Sequence, residues 1–477
     1  MPSGRCSHHL SPNKRTQRID AVVAFAKTAT PEQLSARLVD VWQHEHSSIS
    51  EARLLLILAA DPAPLYDEEF GHKTLEQRRL GGSLCQVCAA LFSDFLDRAT
   101  GIYSEMLGDH DRKCSSSECS SNDSGVGAGR MAGGSRAGPK AGGSVVLCLD
   151  GGGVRGLVSV LSLLFASRRI FGDESLPECF DWLVGTSTGS MLSLALAKGM
   201  SLKETFFLYW ELKTQIFLDG STMSRLLGKQ VEQQSRNFDD ALNLLFPSET
   251  LKEARKRITV PALDISTTPA SLHIFRNYIV DPAQDVEEED VPFKDVARAS
   301  SAAPTYFHPH TWKGARLVDG SLVANCPLNV FFMEVDSLSR HGRRPNVLAV
   351  LSVGTGEPER TERKYASGST LRKKARSIAH LSTLILEQAV GHDQSIVNMS
   401  RQRCLAHSIP FFRLSPSGIN VRIDQVDSEK LLSMLWTSLL WLVDNVQEID
   451  GLGDALHKLQ QASVSEDGLK RRSHSIL

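Results

Sequence analysis

Short apolar segments alternate with longer segments of helical periodicity across residues 144–449, and this alternation restricts the fold more than any other feature of the sequence. Most of the apolar segments are followed by Gly, Asp or Asn, as is typical of buried strands in a sheet that helices cover on both faces. The alternation predicts an α/β fold. Strands are expected at 144–149, 180–184, 257–265, 272–277, 315–318 and 346–353, and helices at 157–170, 190–197, 202–217, 327–340, 378–398 and 428–446.

Three other zones differ from this α/β segment. Residues 1–112 show amphipathic helical patterns and predict a helical N-terminal region. Residues 113–143 are rich in Ser and Gly, with almost nothing to bury, and predict a flexible linker. Residues 450–477 are polar and predict a frayed C-terminal tail. We therefore expect one large domain at 144–449 with a smaller helical companion.

Composition and charge exclude several classes of protein. The 477 residues include 53 Lys and Arg against 55 Asp and Glu, a net charge of −2, so nucleic-acid binding is not expected as the main role. The nine cysteines are an odd number and are scattered, unlike a secreted disulfide framework. The N-terminus lacks the apolar segment of a secretory signal, and no apolar run reaches the roughly 18 residues that a membrane helix needs. These features predict a cytoplasmic protein.

A glycine-rich turn joins the first predicted strand to the first predicted helix of the α/β segment. Gly151, Gly152 and Gly153 follow Asp150, and Arg155 comes just before the helix. Such a turn leaves main-chain N–H groups unpaired at a helix N-terminus, which makes an anion site. The anion could be a phosphate or the oxyanion of an acyl-transfer intermediate. A tight turn that binds nothing is the third interpretation.

A second glycine-flanked turn follows the strand predicted at 180–184. Gly185, Ser187 and Gly189 form G-x-S-x-G between a strand and a helix, which is the pattern of a nucleophile elbow. The flanking glycines allow a turn sharp enough to lift the serine hydroxyl clear of the sheet. Ser187 is therefore a candidate nucleophile, and an ordinary serine in a strand–helix turn is the alternative.

A serine nucleophile needs an adjacent base, and the sequence offers two kinds. A catalytic triad would use a histidine that follows Ser187, and the candidates by chain order are His341, His380, His392 and His407. None of these four is predicted to lie at a strand end beside small residues. Asp319 closes a short apolar strand, and Gly320 allows a tight turn and a close approach. Shielded from water, Asp319 could accept the proton directly, because desolvation raises carboxylate basicity.

Together these motifs resemble the patatin-like phospholipase family, and within it the group VI calcium-independent phospholipase A2 branch. The matching stretches are LCLDGGGVRG, FDWLVGTSTGS, ARASSAAPTYFHP and LVDGSLVANCP, with LHIFRNY and SVGTGEPER typical of the branch. The resemblance implies a three-layer α/β/α sandwich of the patatin type. It also implies a phospholipase A2-type lipid acyl hydrolase that needs neither a metal nor another cofactor, and that acts on phospholipid at a membrane surface.

The resemblance also implies roles for individual residues. Ser187 would be the nucleophile and Asp319 the base, within motifs that include Gly185, Gly189 and Gly320. Main-chain groups at Gly151, Gly152 and Gly153, with Arg155 beside them, would form the oxyanion hole. The sequence departs from the family at Ser321, where a Gly or Ala is more usual after Asp-Gly.

Two other functions stay open at this point. The first is a broader acyl hydrolase acting on lysophospholipids, acylglycerols or acyl-CoA, because the pocket rather than the serine and aspartate sets the substrate. The second is a phosphate-binding or scaffold protein with an idle serine. Residues 71–75, GHKTL, faintly resemble one degenerate ankyrin unit, and a single unit cannot bury its own faces. The expected partners are a phospholipid membrane surface and a lipid substrate, with no nucleic acid, and self-association into a homo-oligomer stays open.

Overall fold

A computed structural model describes residues 12–30, 33–34, 36–37, 40, 49–59, 143–216, 229–281, 290–358 and 394–474. Predictions that fall elsewhere, including the linker at 113–142, the ankyrin-like segment and the first part of the helix predicted at 378–398, lie outside the described residues. The chain divides into two compact units, Met1–Gly138 and Pro139–Leu477.

The first unit contains two contacting helices, α1 (Pro12–Thr28) and α2 (Ile49–Ala59). The Arg18 guanidinium on α1 donates to the buried Glu51 carboxylate on α2 over 3.0 Å. Both helices lie in the zone that the sequence predicts to be helical.

The second unit is built on one mixed sheet of eight strands among the described residues. The strands are β1 (Ser144–Leu149), β2 (Trp182–Gly185), β3 (Arg257–Asp264), β4 (Ser271–Arg276), β5 (His310–Trp312), β6 (Ala315–Asp319), β7 (Val347–Val353) and β8 (Phe411–Leu414). Their order is β5-β6-β3-β2-β1-β7-β8, with β4 also paired to β3. The strands from β3 to β8 in this order run parallel, whereas β4 and β6 are antiparallel to β3.

Helices pack against this sheet, so the α/β class predicted from the sequence is confirmed. They are α3 (Gly156–Phe171), α4 (Thr188–Lys198), α5 (Leu202–Ile216), α6 (Lys229–Leu245), α7 (Phe293–Ser300), α8 (Ser321–Ala324), α9 (Leu328–Arg340), α10 (Gln394–Ala406), α11 (Ser428–Asp444) and α12 (Val446–His474). Val146 and Cys148 of β1 pack in a buried cluster with Phe331 of α9 and Val397 of α10. Leu147 points to the other face and is also fully buried. Helices α3 and α4 contribute nothing to that cluster and contact β7 and β1.

The predicted strands agree with the structure to within two residues at each end, whereas some short or polar elements were missed. Strands β5 and β8 have 3 and 4 residues, too few to show a periodicity. Helix α6 was missed because its sequence is mostly polar, and α7 because it is short and rich in small residues. The buried face of each of these two helices can be recognised only from its packing on the rest of the domain.

The C-terminal segment corrects one prediction, because residues 450–462 form part of a packed helix rather than a frayed tail. In α12, Leu452 and Leu456 are buried, and Gly453 lies against Ile170 of α3. The Arg169 guanidinium on α3 is 2.8 Å from the Asp450 carboxylate on α12. The polar composition was misleading because a single apolar stripe is enough to attach a helix to a domain.

No helix among the described residues has both the length and the apolar character that crossing a bilayer requires.

Truncating the buried stripe of α12 is expected to destabilise the α/β unit. Replacing Leu456, which is 2% exposed, in Leu456→Ala should lower the free energy of unfolding by about 2–5 kcal/mol, the usual cost of a cavity. The matched control is Lys458→Ala on the exposed side of the same helix, which should leave it nearly unchanged. Urea unfolding measures both values. Equal stability of the two variants would mean that α12 does not pack as described.

Candidate active site

Ser187 lies at the sharp turn between β2 and α4, as the sequence predicts. Its backbone has φ 52° and ψ −121°, a conformation that residues with a side chain rarely adopt. The turn is closed by two contacts that only glycine permits. A Cβ on Gly189 would lie 2.2 Å from the Leu149 carbonyl oxygen, and one on Gly185 would lie 2.2 Å from the Gly189 carbonyl oxygen. The local sequence therefore holds the serine hydroxyl out from the edge of the sheet.

The serine and the aspartate singled out in the sequence meet in the structure. The Ser187 hydroxyl donates to Asp319 Oδ2 over 2.8 Å, across 132 positions of chain. The other carboxylate oxygen, Oδ1, accepts the Ser321 main-chain N–H over 2.7 Å. Gly320 allows this approach, because a Cβ there would lie 2.3 Å from the Pro261 carbonyl oxygen of β3.

The carboxylate of Asp319 is shielded from water, with 4% of the residue exposed. Burial raises the pKa of Asp319 to about 6, against the lowering effect of hydrogen bonds from Ser321 and Ser187. The carboxylate is therefore more basic than an ordinary aspartate and is still mostly ionised at neutral pH. This is the electrostatic state that a proton acceptor for a serine hydroxyl requires.

The histidine alternative receives no support from the described residues. His341 lies near Asp281, and the His407 ring, in the turn after α10, contacts the carbonyl oxygen of Arg403. His380 and His392 lie outside the described residues. No histidine is among the described residues that line the pocket over Ser187.

Ser300 is a residue of the site that sequence reasoning missed. Its hydroxyl accepts the Ser187 main-chain N–H over 3.0 Å and donates to the Pro261 carbonyl oxygen over 2.7 Å. Ser300 thus ties the elbow to β3, the strand that also pairs with β6. Nothing in its local sequence distinguishes Ser300 from its neighbours Ser301 and Ala302, so a spatial contact was the only available signal.

The glycine-rich turn lies beside the serine, and it corrects one predicted donor. The Gly151 N–H donates to the Asn325 carbonyl oxygen over 3.0 Å, so this group is already paired. The N–H groups of Gly152 and Gly153 donate no hydrogen bond within the described part of the chain, and both residues line the pocket with Ser187. Gly153 has φ +59°, and a Cβ there would lie 2.4 Å from the Ile423 carbonyl oxygen. Arg155 is buried within the same turn, just before α3.

A buried ion pair fixes the start of this turn, and the sequence did not reveal it. The guanidinium of Arg413 in β8 donates to both carboxylate oxygens of Asp150, over 3.2 and 2.6 Å. It also donates to the Ser352 hydroxyl of β7 over 2.6 Å. The only sequence signal was an arginine inside an otherwise apolar four-residue strand. The pair links the glycine-rich turn to β8, at one edge of the sheet.

The pocket over the serine and aspartate is mainly apolar. It opens to solvent, and α5 contributes Tyr209, Leu212 and Ile216 to its wall. Further apolar side chains line it, namely Met191, Phe238, Phe307, Leu322 and Ile423. Among the described residues, no group of three or more His, Cys, Asp or Glu side chains is placed to hold a metal ion.

The comparisons with known proteins assign this part of the chain to a family. Residues 147–332, from β1 to α9, match the model of the patatin-like phospholipase family. The chain therefore contains a patatin-like phospholipase domain, and the resemblance seen in its motifs is confirmed.

Particular relatives extend this assignment. An intracellular phospholipase A2 of Caenorhabditis elegans is 31% identical over 338 residues, which cover 67% of this chain and 30% of the worm protein. An 85/88 kDa calcium-independent phospholipase A2 of Mus musculus is 28% identical, covering 64% of this chain and 40% of its own length. A cGAMP-activated phospholipase of Escherichia coli is 31% identical, covering 44% of this chain and 61% of the bacterial protein. The chain thus matches well under half the length of the worm and mouse relatives.

Removing one partner of the buried ion pair is expected to be costly. In Arg413→Met the Asp150 carboxylate stays buried without its cation, which should cost about 3–5 kcal/mol of unfolding free energy. The double variant Asp150→Leu/Arg413→Met removes both charges and should recover most of that loss. Urea unfolding of the single and double variants measures the coupling.

The surface pair Arg236–Glu232 is the control for this measurement. Its groups are 3.4 Å apart and its side chains are 64% and 52% exposed, so Arg236→Met should cost less than about 1 kcal/mol. If Arg413→Met lowers the free energy of unfolding no more than Arg236→Met does, Arg413 does not stabilise the turn.

Proposed function

We propose that the chain is a serine lipid acyl hydrolase of the phospholipase A2 type, with Ser187 as nucleophile and Asp319 as base. One observation carries the proposal: a direct, buried hydrogen bond from an elbow serine to an aspartate, under an apolar pocket and beside two main-chain N–H groups that find no acceptor among the described residues. A serine in an ordinary strand–helix turn needs none of these neighbours. A phosphate site would need the N–H groups but not the basic aspartate.

The first half of the reaction forms an acyl-enzyme. Asp319 accepts the hydroxyl proton of Ser187 as the serine oxygen bonds to the carbonyl carbon of the ester. The N–H groups of Gly152 and Gly153, which donate to no other described residue, stabilise the negative charge that develops on the carbonyl oxygen. The bond from the carbonyl carbon to the lysophospholipid oxygen then breaks, and the leaving oxygen takes the proton from Asp319.

The second half returns the free serine. Asp319 accepts a proton from water as the water oxygen bonds to the acyl carbon. The bond from that carbon to Ser187 Oγ breaks, the serine recovers its proton, and a fatty acid is released. Every proton transfer uses one carboxylate, so the cycle requires no metal.

The substrate class rests on the pocket and on the relatives. A pocket lined almost entirely by apolar groups suits a fatty acyl chain better than a polar ligand. The mouse relative is named a calcium-independent phospholipase A2, and we extend that class to this chain. We also propose a cytoplasmic enzyme that binds membrane surfaces peripherally. Leu322 of α8 lines the pocket, and its neighbour Val323 is 42% exposed, which suits a rim that contacts lipid.

Removing either member of the Ser187–Asp319 pair should abolish fatty acid release. Ser187→Ala removes the nucleophile, and Asp319→Asn keeps the shape of the side chain but cannot accept a proton. Each should lower turnover by about 1,000-fold or more. The assay is fatty acid release from vesicles of defined mixed-chain phosphatidylcholine in EDTA, where the parent chain should keep full activity. Parallel assays with lysophospholipid, acylglycerol and acyl-CoA substrates distinguish a phospholipase A2 from the broader acyl hydrolase.

Ser193→Ala is the control for these variants, because this serine is buried in α4 but does not line the pocket. Its turnover should match that of the parent. Full activity in Asp319→Asn would eliminate the aspartate as base and return attention to a histidine. A parent chain that a fluorophosphonate probe does not label at Ser187 would favour the idle phosphate-binding protein.

The decrease of turnover at acid pH should follow the protonation of Asp319. The carboxylate can accept a proton only when it is ionised, and burial raises its pKa to about 6. Turnover should therefore fall as the pH drops through about 6 and approach a tenfold loss for each further unit. The rate of fluorophosphonate labelling should follow the same limb. A profile that stays flat to about pH 4.5 would contradict this assignment, because an ordinary aspartate would still be ionised there.

A further inference from the structure

Thr355, in the turn that follows β7, is hydrogen-bonded to the glycine-rich turn beside the serine. Its hydroxyl donates to the Gly151 carbonyl oxygen over 2.9 Å, across 204 positions of chain, and 4% of the residue is exposed. No other described residue donates to that carbonyl oxygen. Thr355 does not line the pocket over Ser187. It therefore acts on the glycine-rich turn rather than on a ligand in the pocket.

The contact with Thr355 sets the direction of a neighbouring N–H group. A carbonyl oxygen and the N–H of the next residue belong to one planar trans peptide group and point in opposite directions. The peptide group that Thr355 holds joins Gly151 to Gly152, so a fixed Gly151 carbonyl also fixes the Gly152 N–H, on the side away from Thr355. That N–H finds no acceptor among the described residues, and Gly152 lines the pocket.

This peptide group needs an external contact because glycine flanks it on both sides. Glycine adopts positive and negative φ with similar ease, so a peptide plane between two glycines can rotate at little steric cost. Thr355 packs closely on one side, since a Cβ on Gly152 would lie 2.2 Å from Thr355 Oγ1. A Cβ on Gly151 would lie 3.3 Å from Ser187 Cβ. The turn thus lies between Thr355 and the nucleophilic residue.

The main chain before Thr355 is itself held by neighbouring elements. The Gly354 N–H donates to the Leu414 carbonyl oxygen of β8 over 2.8 Å. The Gly354 carbonyl oxygen accepts the Ser159 hydroxyl of α3 over 2.9 Å. Thr355 is therefore a fixed support for the turn. An oxyanion site requires such support, because its donors must be oriented before the charge develops.

We propose that Thr355 is a positioning residue of the oxyanion hole, which holds the Gly151–Gly152 peptide group so that the Gly152 N–H faces the reacting carbonyl oxygen. This inference rests on the proposed function and adds a residue that does not touch the substrate. Without the hydroxyl, the peptide group adopts other orientations and the oxyanion loses part of its stabilisation in both halves of the reaction. Binding of the intact ester, which carries no oxyanion, does not depend on Thr355.

Thr355→Val tests the inference, because it replaces the hydroxyl by a methyl group of similar size. With a p-nitrophenyl ester of a fatty acid, kcat should fall by roughly 10- to 100-fold, between the effect of one lost hydrogen bond and the cost of losing an oxyanion donor outright. KM should stay within about twofold, because the lost interaction is made only in the transition state. The endpoint of fluorophosphonate labelling counts active sites, and kcat is expressed per labelled site.

A transition-state analogue gives a readout that a purely structural role would not change. The Ser187 oxygen bonds to the carbonyl carbon of a long-chain trifluoromethyl ketone, its proton passes to Asp319, and the ketone oxygen becomes an oxyanion. The inhibition constant of this ketone should rise in Thr355→Val by about the factor by which kcat falls. The inhibition constant of a fatty alcohol of the same length, which forms no oxyanion, should stay within about twofold.

Two further variants separate the hydroxyl from its surroundings. Thr355→Ser retains the hydroxyl and should keep kcat within about threefold of the parent. Thr205→Val is the matched control: Thr205 is fully buried in α5, its hydroxyl donates to the Ser201 carbonyl oxygen over 2.8 Å, and it does not line the pocket. It should leave kcat and both inhibition constants unchanged. Where Thr355→Val gives no folded protein, Thr355→Ala, which leaves room for water at the carbonyl, should still lower kcat by at least about threefold.

The other outcomes overturn the inference in distinguishable ways. A kcat in Thr355→Val equal to that of the parent, with or without a raised KM, shows that the hydroxyl does not act on the oxyanion. Equal losses in Thr355→Val and Thr355→Ser assign the effect to packing against Gly152, and a lower kcat without weaker ketone binding assigns it to another step. A parent chain that neither labels at Ser187 nor releases fatty acid contradicts the proposed function, and this inference with it.

Discussion

The hydrogen bond between Ser187 and Asp319 is the contact on which the site depends, and two strand pairings produce it. Val184 of β2 pairs with Thr259 of β3 in parallel register, and Ala262 of β3 pairs with Asp319 of β6 in antiparallel register. Because β3 pairs with both β2 and β6, it places Asp319 next to Ser187. Ser300 reinforces the same junction by joining the serine main chain to Pro261 of β3.

The glycine-rich turn reaches the serine from the other side. β1 and β2 are parallel neighbours, with Leu149 opposite Gly185, so the chain leaves both strands at the same edge of the sheet. The pair Asp150–Arg413 then anchors the turn to β8, beyond β7. The turn can therefore present main-chain N–H groups to the pocket without relying on the loop alone for its shape.

Burial has opposite effects on stability and on chemistry at this site. It costs free energy to bury the carboxylate of Asp319 and the N–H groups of Gly152 and Gly153, which find no acceptor in the described part of the chain. The same burial raises the basicity of Asp319 and strengthens any hydrogen bond to a developing charge. The large apolar core around the sheet offsets that cost, which is the usual balance at a site adapted to a reaction rather than to stability.

The sequence by itself determined six of the strands, most of the apolar helices, the elbow at Ser187 and the turn at Gly151–Gly153, because each depends on local periodicity or on glycines at fixed spacing. It also singled out Asp319, although only as a carboxylate at a strand end. Only the tertiary structure decided that this carboxylate meets Ser187, that Gly151 is already paired, that Arg413 holds Asp150 and that α12 packs on α3. Those contacts join residues far apart in the chain through antiparallel pairing and side-chain packing, which leave no periodic trace in the sequence.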